Sequence, residues 1–284
     1  MVFIVGSPES VPDVVVLLAA DDEAGLAVEC AALEGPLWTR NGAFLVYARY
    51  RQDTAGFEDF LTRAAAAVAE RVPELADPQR LGALLIGRWH SGAPVMRAPD
   101  ADVPELGEND RLNNDFAYQR ATPPLPASAA CPAVHPPAPA DPAGLRCPLG
   151  AHVRKAYLRD DIPPGSIAGD VQRHRLLRRG IPYTDETPAG VERGLLFLSY
   201  QVSIERQFEF VLQQWLRNPS LRVPGEGVDP LLGVVPGGPT TVRIPVRDGG
   251  RAVEVDLERS WTELTGGGYF FVPSVSALRY LAGR

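Results

Sequence analysis

Cysteine, histidine and lysine are all scarce in this chain of 284 residues. The three cysteines, Cys30, Cys131 and Cys147, include no C-x-x-C pair and are too few for a disulfide framework, so we expect a reducing compartment and a cytoplasmic location. Cys131, His135 and Cys147 match no zinc-binding spacing, which argues against a zinc site. Arginine supplies all but one of the 28 basic residues, and we attribute the single lysine, Lys155, to the composition of the source genome.

Long apolar runs and several common catalytic motifs are also absent. The longest run, Val14 to Ala20, is much shorter than the roughly 18 residues that span a bilayer, and Met1 to Gly6 lacks the basic start of a signal peptide, so a soluble protein is expected. The sequence contains no phosphate-binding G-x-x-x-x-G-K-[ST] loop, no H-E-x-x-H zinc motif and no G-x-S-x-G nucleophile motif. The net charge of −7 argues against nucleic acid or an anionic membrane as the main partner.

Proline, by contrast, is plentiful, with 28 residues. Eight of them lie between residues 123 and 142, where they are interleaved with alanine and almost no charge. Proline fixes φ and removes a hydrogen-bond donor, so this composition predicts a Pro/Ala-rich insertion at 121–145 with a loop or extended conformation. A domain linker and a long surface insertion both explain it.

The hydrophobic periodicity predicts an α+β fold in which helices pack on a sheet. The predicted strands cover 41–50, 195–201, 241–246, 252–257 and 269–272, and the predicted helices cover 55–70, 77–87, 204–216 and a short stretch after Pro273-Ser274. Asp53 or Thr54 is the expected N-cap of the first helix, and Ser203 is that of the helix at 204–216. The turn Asp248-Gly249-Gly250 is expected to join two of the short strands.

The four histidines can be weighed one at a time. His90 lies in a turn-like segment, His135 lies among prolines, and His174 lies among arginines, so structural or solvated roles are expected for all three. His152 differs because it follows a tight turn and has Arg154, Lys155 and Arg159 nearby. A lone histidine is more often structural than a metal ligand, but these cations favour an anionic ligand. A metal that carries carboxylates, such as haem with its propionates, meets both requirements.

Arg178 has two interpretations. Beside the apolar residues Leu195 and Phe197 it would be a permanent cation in a water-poor setting, able to stabilise a negatively charged oxygen. It could equally be a surface arginine that pairs with Asp160 or Glu186. The residue pattern by itself does not choose between the two.

Five segments of the chain follow one another in the order CPLGAHVRKAYLRD (147–160), HRLLRRGIPY (174–183), GLLFLSYQVSIERQFEFVLQQW (194–215), GVDPLLG (227–233) and GGGYFFVPSVSALRYLA (266–282). Together they resemble the C-terminal half of the dye-decolorizing (DyP-type) haem peroxidases. Upstream, NGAFLVYARYRQD, IGRWHSGAPV and NNDFAY resemble the stretch that leads into the haem-binding half. The resemblance therefore covers the chain from about residue 40 to the end.

This resemblance implies a ferredoxin-like antiparallel sheet with packed helices, which is half of a dimeric α+β barrel. It implies that residues 1–284 form a single haem-binding domain interrupted by the insertion at 121–145. The implied cofactor is haem b, and the implied axial ligand of its iron is His152. Met1 to Gly6 resembles the strand that begins the second half in the family.

The resemblance also implies roles for five further residues. Arg178 corresponds to the catalytic arginine at the peroxide site, and Arg159 to a cation that holds a haem propionate. Leu195 and Phe197 correspond to apolar residues that line the peroxide side. Asp229 corresponds to the carboxylate that hydrogen-bonds the axial histidine and raises its basicity.

The family's acidic G-x-x-D-G motif has no counterpart in this sequence. We therefore expect a peroxidase subunit that reduces hydrogen peroxide, oxidises dyes, phenols or similar donors, and forms a hetero-oligomer with a chain resembling the other half of the family. The alternatives are a non-catalytic haem-binding or assembly subunit and a structural ferredoxin-like protein without haem. The intact His152, Arg154 and Arg159 argue against the last.

Overall fold

A computed structural model describes residues 41–109, 112–124, 137–167, 169–188, 190–246 and 252–283. Within these ranges the strands are β1 (Ala43–Gln52), β2 (Leu177–Thr187), β3 (Gly190–Gln201), β4 (Thr241–Ile244), β5 (Val253–Asp256) and β6 (Thr262–Val272). The α-helices are α1 (Thr54–Ala69), α2 (Pro78–Ile86), α3 (Pro104–Gly107), α4 (His152–Ala156), α5 (Asp170–Arg173) and α6 (Val275–Leu281). A 3-10 turn covers Pro73–Leu75, and π-helical turns cover Ile204–Glu209 and Val211–Leu216.

The described residues group into two compact units. The sheet unit contains the described residues of 41–52, 174–210 and 262–283, and the helical unit contains those of 53–173 and 211–261. No helix among the described residues is long and apolar enough to cross a membrane.

The sheet unit is built on one four-stranded antiparallel sheet with the strand order β2–β3–β1–β6. β1 lies inside the sheet and buries the alternate residues Val46, Ala48 and Tyr50, as the period-2 pattern predicts. A hairpin of two consecutive strands beside a central first strand and an outer last strand is the strand order of a ferredoxin-like fold. The predicted α+β class is confirmed.

The hydrophobic pattern missed strand β2. Its first half is rich in arginine and contains Pro182, and every residue from Leu177 to Pro182 is exposed. β2 is an edge strand, and proline is tolerated at an edge because an edge residue need not donate to a neighbour. An exposed edge strand does not need the alternating apolar residues by which strands are recognised in sequences.

The helical unit begins with two helices that the sequence placed well. Asp53 caps α1 by accepting a hydrogen bond from the Gly56 N–H at 2.9 Å, so Asp53 rather than Thr54 is the N-cap. Asp77 caps α2 in the same way, and α2 ends at Gly87, whose φ of +90° suits glycine. Both helices contribute to a core with the β4–β5 hairpin: Phe60, Leu61, Leu81, Leu85, Val228, Val242, Ile244, Val253, Val255 and Trp261.

The helix predicted at 204–216 and the strand predicted at 269–272 differ from the elements found. The segment 204–216 is helical and is capped by Ser203, but its turns are π-helical: the Arg217 N–H, for example, bonds to the Leu212 carbonyl five residues earlier. The strand predicted at 269–272 starts earlier, as β6, because Gly266 to Gly268 pair with β1. The turn at 248–250 lies outside the described residues, as does the strand-like segment at 1–6.

The two described ends of the Pro/Ala-rich insertion, residues 121–124 and 137–145, belong to the helical unit and lie next to each other. The Thr122 N–H donates to the Ala138 carbonyl at 2.9 Å, which joins the two described ends of the insertion. Asp141, near its end, is buried and accepts a hydrogen bond from the Cys147 N–H at 2.9 Å. Because its described ends meet within one unit, the insertion does not link the two units.

Candidate active site

His152 is the first residue of α4 and forms a hydrogen-bonded pair with Asp229. The atoms His152 Nδ1 and Asp229 Oδ2 are 2.7 Å apart, and the histidine side chain is 22% exposed while the aspartate side chain is fully buried. Gly150 allows the approach to α4, since a Cβ there would lie 3.0 Å from the Glu226 carbonyl oxygen. The turn before His152 thus packs closely on the segment that carries Asp229.

Asp229 is held as a carboxylate by three donors. Its Oδ1 accepts hydrogen bonds from the Leu231 and Leu232 N–H groups at 2.9 and 2.7 Å, and its Oδ2 faces His152. Burial raises the pKa of Asp229, but the attraction to His152 and these hydrogen bonds outweigh burial and hold the pKa below its usual range. An ionised Asp229 has no proton to donate, so it must accept a hydrogen bond from His152. Nδ1 therefore carries the proton, and the free lone pair of the His152 ring is on Nε2.

A haem iron can be bound by a histidine ring nitrogen that keeps its lone pair, and this arrangement provides one. Among the described residues, none makes a hydrogen bond to His152 Nε2, so its lone pair is available to a metal. A ligating histidine normally gives its other N–H to a carboxylate, which fixes the ring and increases its basicity. The His152–Asp229 pair is therefore suited to the binding of a haem iron by His152.

Two of the three cations near His152 are not available to an anionic ligand. The Arg154 guanidinium is fully buried and pairs with Asp161 at 2.8 Å and Asp141 at 3.2 Å. Lys155 is also fully buried and pairs with Glu226 at 2.8 Å. The expectation that these cations attract an external anion is wrong for both, because carboxylates of the protein already neutralise them.

Arg159, the third cation, is half-buried and positioned by the segment 114–116. Its φ is +56°, its guanidinium lies 3.8 Å from the Phe116 ring centroid, and one terminal nitrogen donates to the Asn114 and Phe116 carbonyls at 2.9 and 3.1 Å. Within the described residues it makes no hydrogen bond to His152 or Asp229, and its Nε has no hydrogen-bonding partner. Arg159 therefore keeps donors for a carboxylate such as a propionate.

Arg178, Leu195 and Phe197 lie on the same face of the four-stranded sheet. Arg178 on β2 is directly opposite Ser199 on β3, and Gly180 is opposite Phe197. Directly opposed residues of antiparallel strands point to one face, and residues two apart share that face, so these side chains are neighbours. Small residues flank Phe197 across the sheet, with Gly180 on one side and Ala48 on the other.

The surroundings of Phe197 are apolar, and Arg178 itself is exposed. The Phe197 ring lies 6.4 Å from that of Tyr50 and 6.0 Å from that of Phe208, and Leu195 and Phe197 are both half-buried. The expectation of a water-poor setting for Arg178 is not met in this chain, because β2 is an edge strand.

Comparison with known proteins identifies the family. A family model described as "Dyp-type peroxidase, C-terminal" matches residues 146–222, which include His152, Arg159, Arg178, Leu195 and Phe197. The chain is 34% identical over 269 residues to a dye-decolorizing peroxidase of Mycena epipterygia, covering 87% of this chain and 48% of that protein. The chain belongs to the dye-decolorizing (DyP-type) peroxidase family.

Solved DyP-type structures agree with this membership. An ancestral D-type dye-decolorizing peroxidase superposes with a TM-score of 0.68 at 30% identity and covers 93% of this chain and 55% of its own. The DyP-type peroxidase of Anabaena sp. gives a TM-score of 0.63 at 27% identity and covers 84% of this chain and 46% of its own. The chain thus spans about half the length of the DyP relatives that it matches, and the resemblance stated from the sequence is confirmed.

The structure also shows residues of this DyP chain that sequence reasoning did not select. Asn114 and Phe116 hold Arg159, and Glu226 binds Lys155. Asn114 and Phe116 belong to the NNDFAY segment, but the sequence of that segment does not show which cation it binds. Glu226 stands three residues before Asp229, and this spacing is a usable signal only once α4 is known to lie opposite.

The other histidines and cysteines of this DyP chain form no metal site in the part of the chain that the structure describes. His90 is exposed, and His174 stacks on Phe210 with ring centroids 3.7 Å apart. Cys147 is buried and free, and burial raises the pKa of its thiol to about 12. Cys131 and His135 lie outside the described residues.

Proposed function

We propose that this chain binds haem b and forms part of a peroxidase that reduces hydrogen peroxide and oxidises dyes, phenols or similar small organic donors. The observation that carries the proposal is the His152–Asp229 pair, in which a buried carboxylate holds Nδ1 and leaves Nε2 available. Bound haem supplies the redox-active iron at which peroxide is reduced. The names of the relatives, all dye-decolorizing or related peroxidases, support the reaction class.

In this proposal His152 would hold the haem iron through Nε2, and Asp229 would orient the histidine ring. Asp229 accepts the Nδ1 proton, so Nε2 keeps its lone pair and gains electron density. Two backbone N–H groups fix the other oxygen of Asp229 and prevent the carboxylate from rotating away. This arrangement would make His152 an electron-rich ligand of a bound haem iron.

The proposal assigns three further roles: Arg159 binds a propionate, Arg178 binds the peroxide, and Leu195 and Phe197 form an apolar lining. The donors of Arg159 that the segment 114–116 does not use are assigned to a propionate. Arg178 is assigned to the peroxide, because its permanent charge would stabilise a negatively charged oxygen there. Leu195 and Phe197 share the sheet face of Arg178 and would line the peroxide side of a bound haem.

We also propose that a second chain, resembling the other half of the family, completes the peroxidase. The sheet face opposite to that of Phe197 leaves Leu177 and Ile181 exposed by 51% and 46%, next to the half-buried Leu196 and Leu198. Exposed apolar side chains that adjoin one another on a sheet are typical of an interaction surface. The partner supplies the acidic group, or Arg178 acts without one. We assign the complex to the cytoplasm, because the chain has few cysteines.

Haem titration of the purified chain, alone and with a candidate partner, tests the haem ligand. We expect a Soret band for the wild type and for His90→Ala, which removes an exposed histidine. His152→Ala should lose the axial-ligand spectrum. An unchanged ferric spectrum in His152→Ala would refute the assignment, and no Soret band under any condition would refute haem binding.

Rapid mixing with hydrogen peroxide tests Arg178. Arg178→Ala should retain haem and react with peroxide roughly 10²–10³ times more slowly, the usual loss for one preorganised stabilising group. Arg179→Ala is the matched control, because Arg179 is the next residue on β2 and points to the opposite sheet face. Equal rates for the two variants would contradict the role of Arg178. Haem binding without turnover in every preparation would instead favour the non-catalytic haem-binding or assembly subunit.

A further inference from the structure

The only lysine of the chain, Lys155, occupies a fully buried position three residues after the candidate haem ligand, His152. Lys155 Nζ donates to Glu226 Oε1 at 2.8 Å, to the Asn218 carbonyl at 2.7 Å and to the Trp215 carbonyl at 3.3 Å. An ammonium group has three N–H donors, and each has an acceptor here. The position is therefore fully satisfied without any external ligand.

The geometry explains why this position holds lysine in a chain that otherwise uses arginine. Three acceptors converge on one nitrogen atom, and an ammonium group can point its three donors at them. A guanidinium is a flat fork with five donors, and it cannot direct three of them from a single atom. The three converging acceptors account for the one lysine that is present.

Lys155 and His152 face the same short segment of chain. They are three residues apart on α4, so their side chains lie on one side of the helix. Their partners Glu226 and Asp229 are also three residues apart, and the contact distances are 2.8 and 2.7 Å. The two pairs are successive cross-links between α4 and residues 226–229.

The segment 226–229 is fixed on its other side by strand β4. The Arg243 N–H donates to the Glu226 carbonyl at 3.2 Å, and the Val228 N–H donates to the Thr241 carbonyl at 3.1 Å. Gly227, between them, has a φ of +100°, and a Cβ there would lie 2.5 Å from the Thr241 oxygen. With one side anchored, the separation of Asp229 from α4 is set by the side chains that cross between them.

Glu226 is ionised and held in place from two directions. Its Oε2 accepts from the Arg222 backbone N–H at 3.0 Å, and its Oε1 accepts from both Lys155 and the Arg222 guanidinium. Burial raises the pKa of Glu226, but Arg222 and Lys155 outweigh it and keep the pKa below the usual range. The second cross-link is therefore a charged pair, which a neutral substitute reproduces only in part.

We propose that Lys155 and Glu226 are positioning residues that set the length of the His152–Asp229 hydrogen bond and so control how strongly His152 donates to a bound haem iron. The inference rests on the axial ligand proposed above. It predicts that weakening the second cross-link lengthens the first, although neither Lys155 nor Glu226 touches His152 in any hydrogen bond of the described residues.

The test compares three variants of the full chain. Lys155→Met removes the charge and the three donors, and Glu226→Gln keeps the shape and is the variant to use if the first does not fold. Asp161→Asn is the matched control, because Asp161 is a buried carboxylate that also binds Arg222, at 2.9 Å, but binds Arg154 instead of Lys155. A purely structural role predicts lower stability for all three and nothing more.

The first measurement is the NMR resonance of the His152 Nδ1 proton in the chain without haem, assigned by its loss in His152→Ala. We expect a downfield proton in the wild type and in Asp161→Asn, and an upfield shift in Glu226→Gln and Lys155→Met. The second is the ferric/ferrous midpoint potential with haem bound. A tenfold loss in the stabilisation of the ferric state raises this potential by about 59 mV for one electron, and we expect a rise of that order.

Each outcome decides the proposal. Folded Glu226→Gln protein with an unchanged proton and an unchanged potential would overturn it, as would an equal change in Asp161→Asn. A wild-type chain that binds no haem would refute the proposed function, while the proton resonance would still decide whether Lys155 and Glu226 position His152.

Discussion

Replacing Asp229 by asparagine should weaken haem binding more than replacing it by alanine. Asparagine has the same shape as aspartate, so size alone would predict the opposite order of haem affinity for the two variants. The reason lies in the two backbone N–H groups of Leu231 and Leu232, which bond to the same oxygen at 2.9 and 2.7 Å. In Asp229→Asn these two donors keep the amide oxygen, and the NH₂ group is left facing His152.

An amide NH₂ beside Nδ1 reverses the tautomer of His152. Nδ1 would have to accept, so the proton would move to Nε2, which is the atom needed by the metal. Flipping the amide would place its NH₂ against two N–H donors, which costs more than changing the tautomer. Alanine leaves room for water to accept the Nδ1 proton, so Nε2 keeps its lone pair.

The magnitude follows from the lost hydrogen bond. A hydrogen bond to a charged group contributes about 1.5–3 kcal/mol, and 1.4 kcal/mol is about tenfold in affinity. Asp229→Asn should therefore bind haem about 10- to 150-fold more weakly than the wild type, in line with the 10- to 100-fold typical of ligand-orienting residues. Asp229→Ala should lose less affinity but more folding stability, since it leaves two buried N–H groups without their acceptor.

Haemin titration at fixed ionic strength, followed at the Soret band, measures the affinities. Asp256→Asn is the control for the change in charge, because Asp256 is exposed and bonds to Thr240 and the Glu258 N–H. Its affinity should equal that of the wild type. The reasoning about the tautomer is refuted if Asp229→Asn binds haem within about twofold of the wild type, or if Asp229→Ala binds more weakly than Asp229→Asn.

Two further predictions concern stability. Gly227→Ala adds a Cβ 2.5 Å from a carbonyl oxygen of β4 at a φ of +100°, whereas the Cβ of Gly225→Ala meets nothing within 4 Å at a φ of +74°. Urea denaturation should show a loss of about 1–3 kcal/mol in unfolding free energy for Gly225→Ala and a clearly larger loss for Gly227→Ala. Equal losses would contradict the close contact at Gly227. Burial raises the pKa of Asp161, but Arg154 and Arg222 outweigh it and hold the pKa below 3.8. This contribution to stability is complete above the unfolded-state pKa and is lost as the pH falls through the lower folded-state pKa, so acid unfolding below about pH 4 should be steeper in the wild type than in Asp161→Asn.

Local patterns predicted the elements whose formation depends on nearby residues. Asp53 and Asp77 cap α1 and α2 through hydrogen bonds two or three residues along the chain, and such short-range signals can be read in a sequence. The alternating residues of β1 are equally local. Strand β2 escaped this reading because it is paired on an edge and exposed, so its sequence carries no apolar alternation.

Apart from the pairing of Asp229 with His152, which the resemblance implied, the candidate site was predictable only as separate residues. The resemblance to DyP peroxidases selected His152, Asp229, Arg159 and Arg178 from segments far apart in the chain. It could not give their surroundings: Arg178 is exposed, and Arg159 is committed in part to the backbone of residues 114–116. A side chain's burial depends on what folds over it, and no spacing in the sequence encodes that.

The scarcity of lysine shows most clearly what each level decides. The sequence by itself determined the α+β class, the principal helices and strands, the DyP family and the existence of one lysine near the candidate ligand. Only the tertiary structure decided that Arg154 and Lys155 are neutralised by carboxylates of the protein itself. A sequence does not show whether a charged side chain is paired, because its partner comes from a distant segment that only folding brings close.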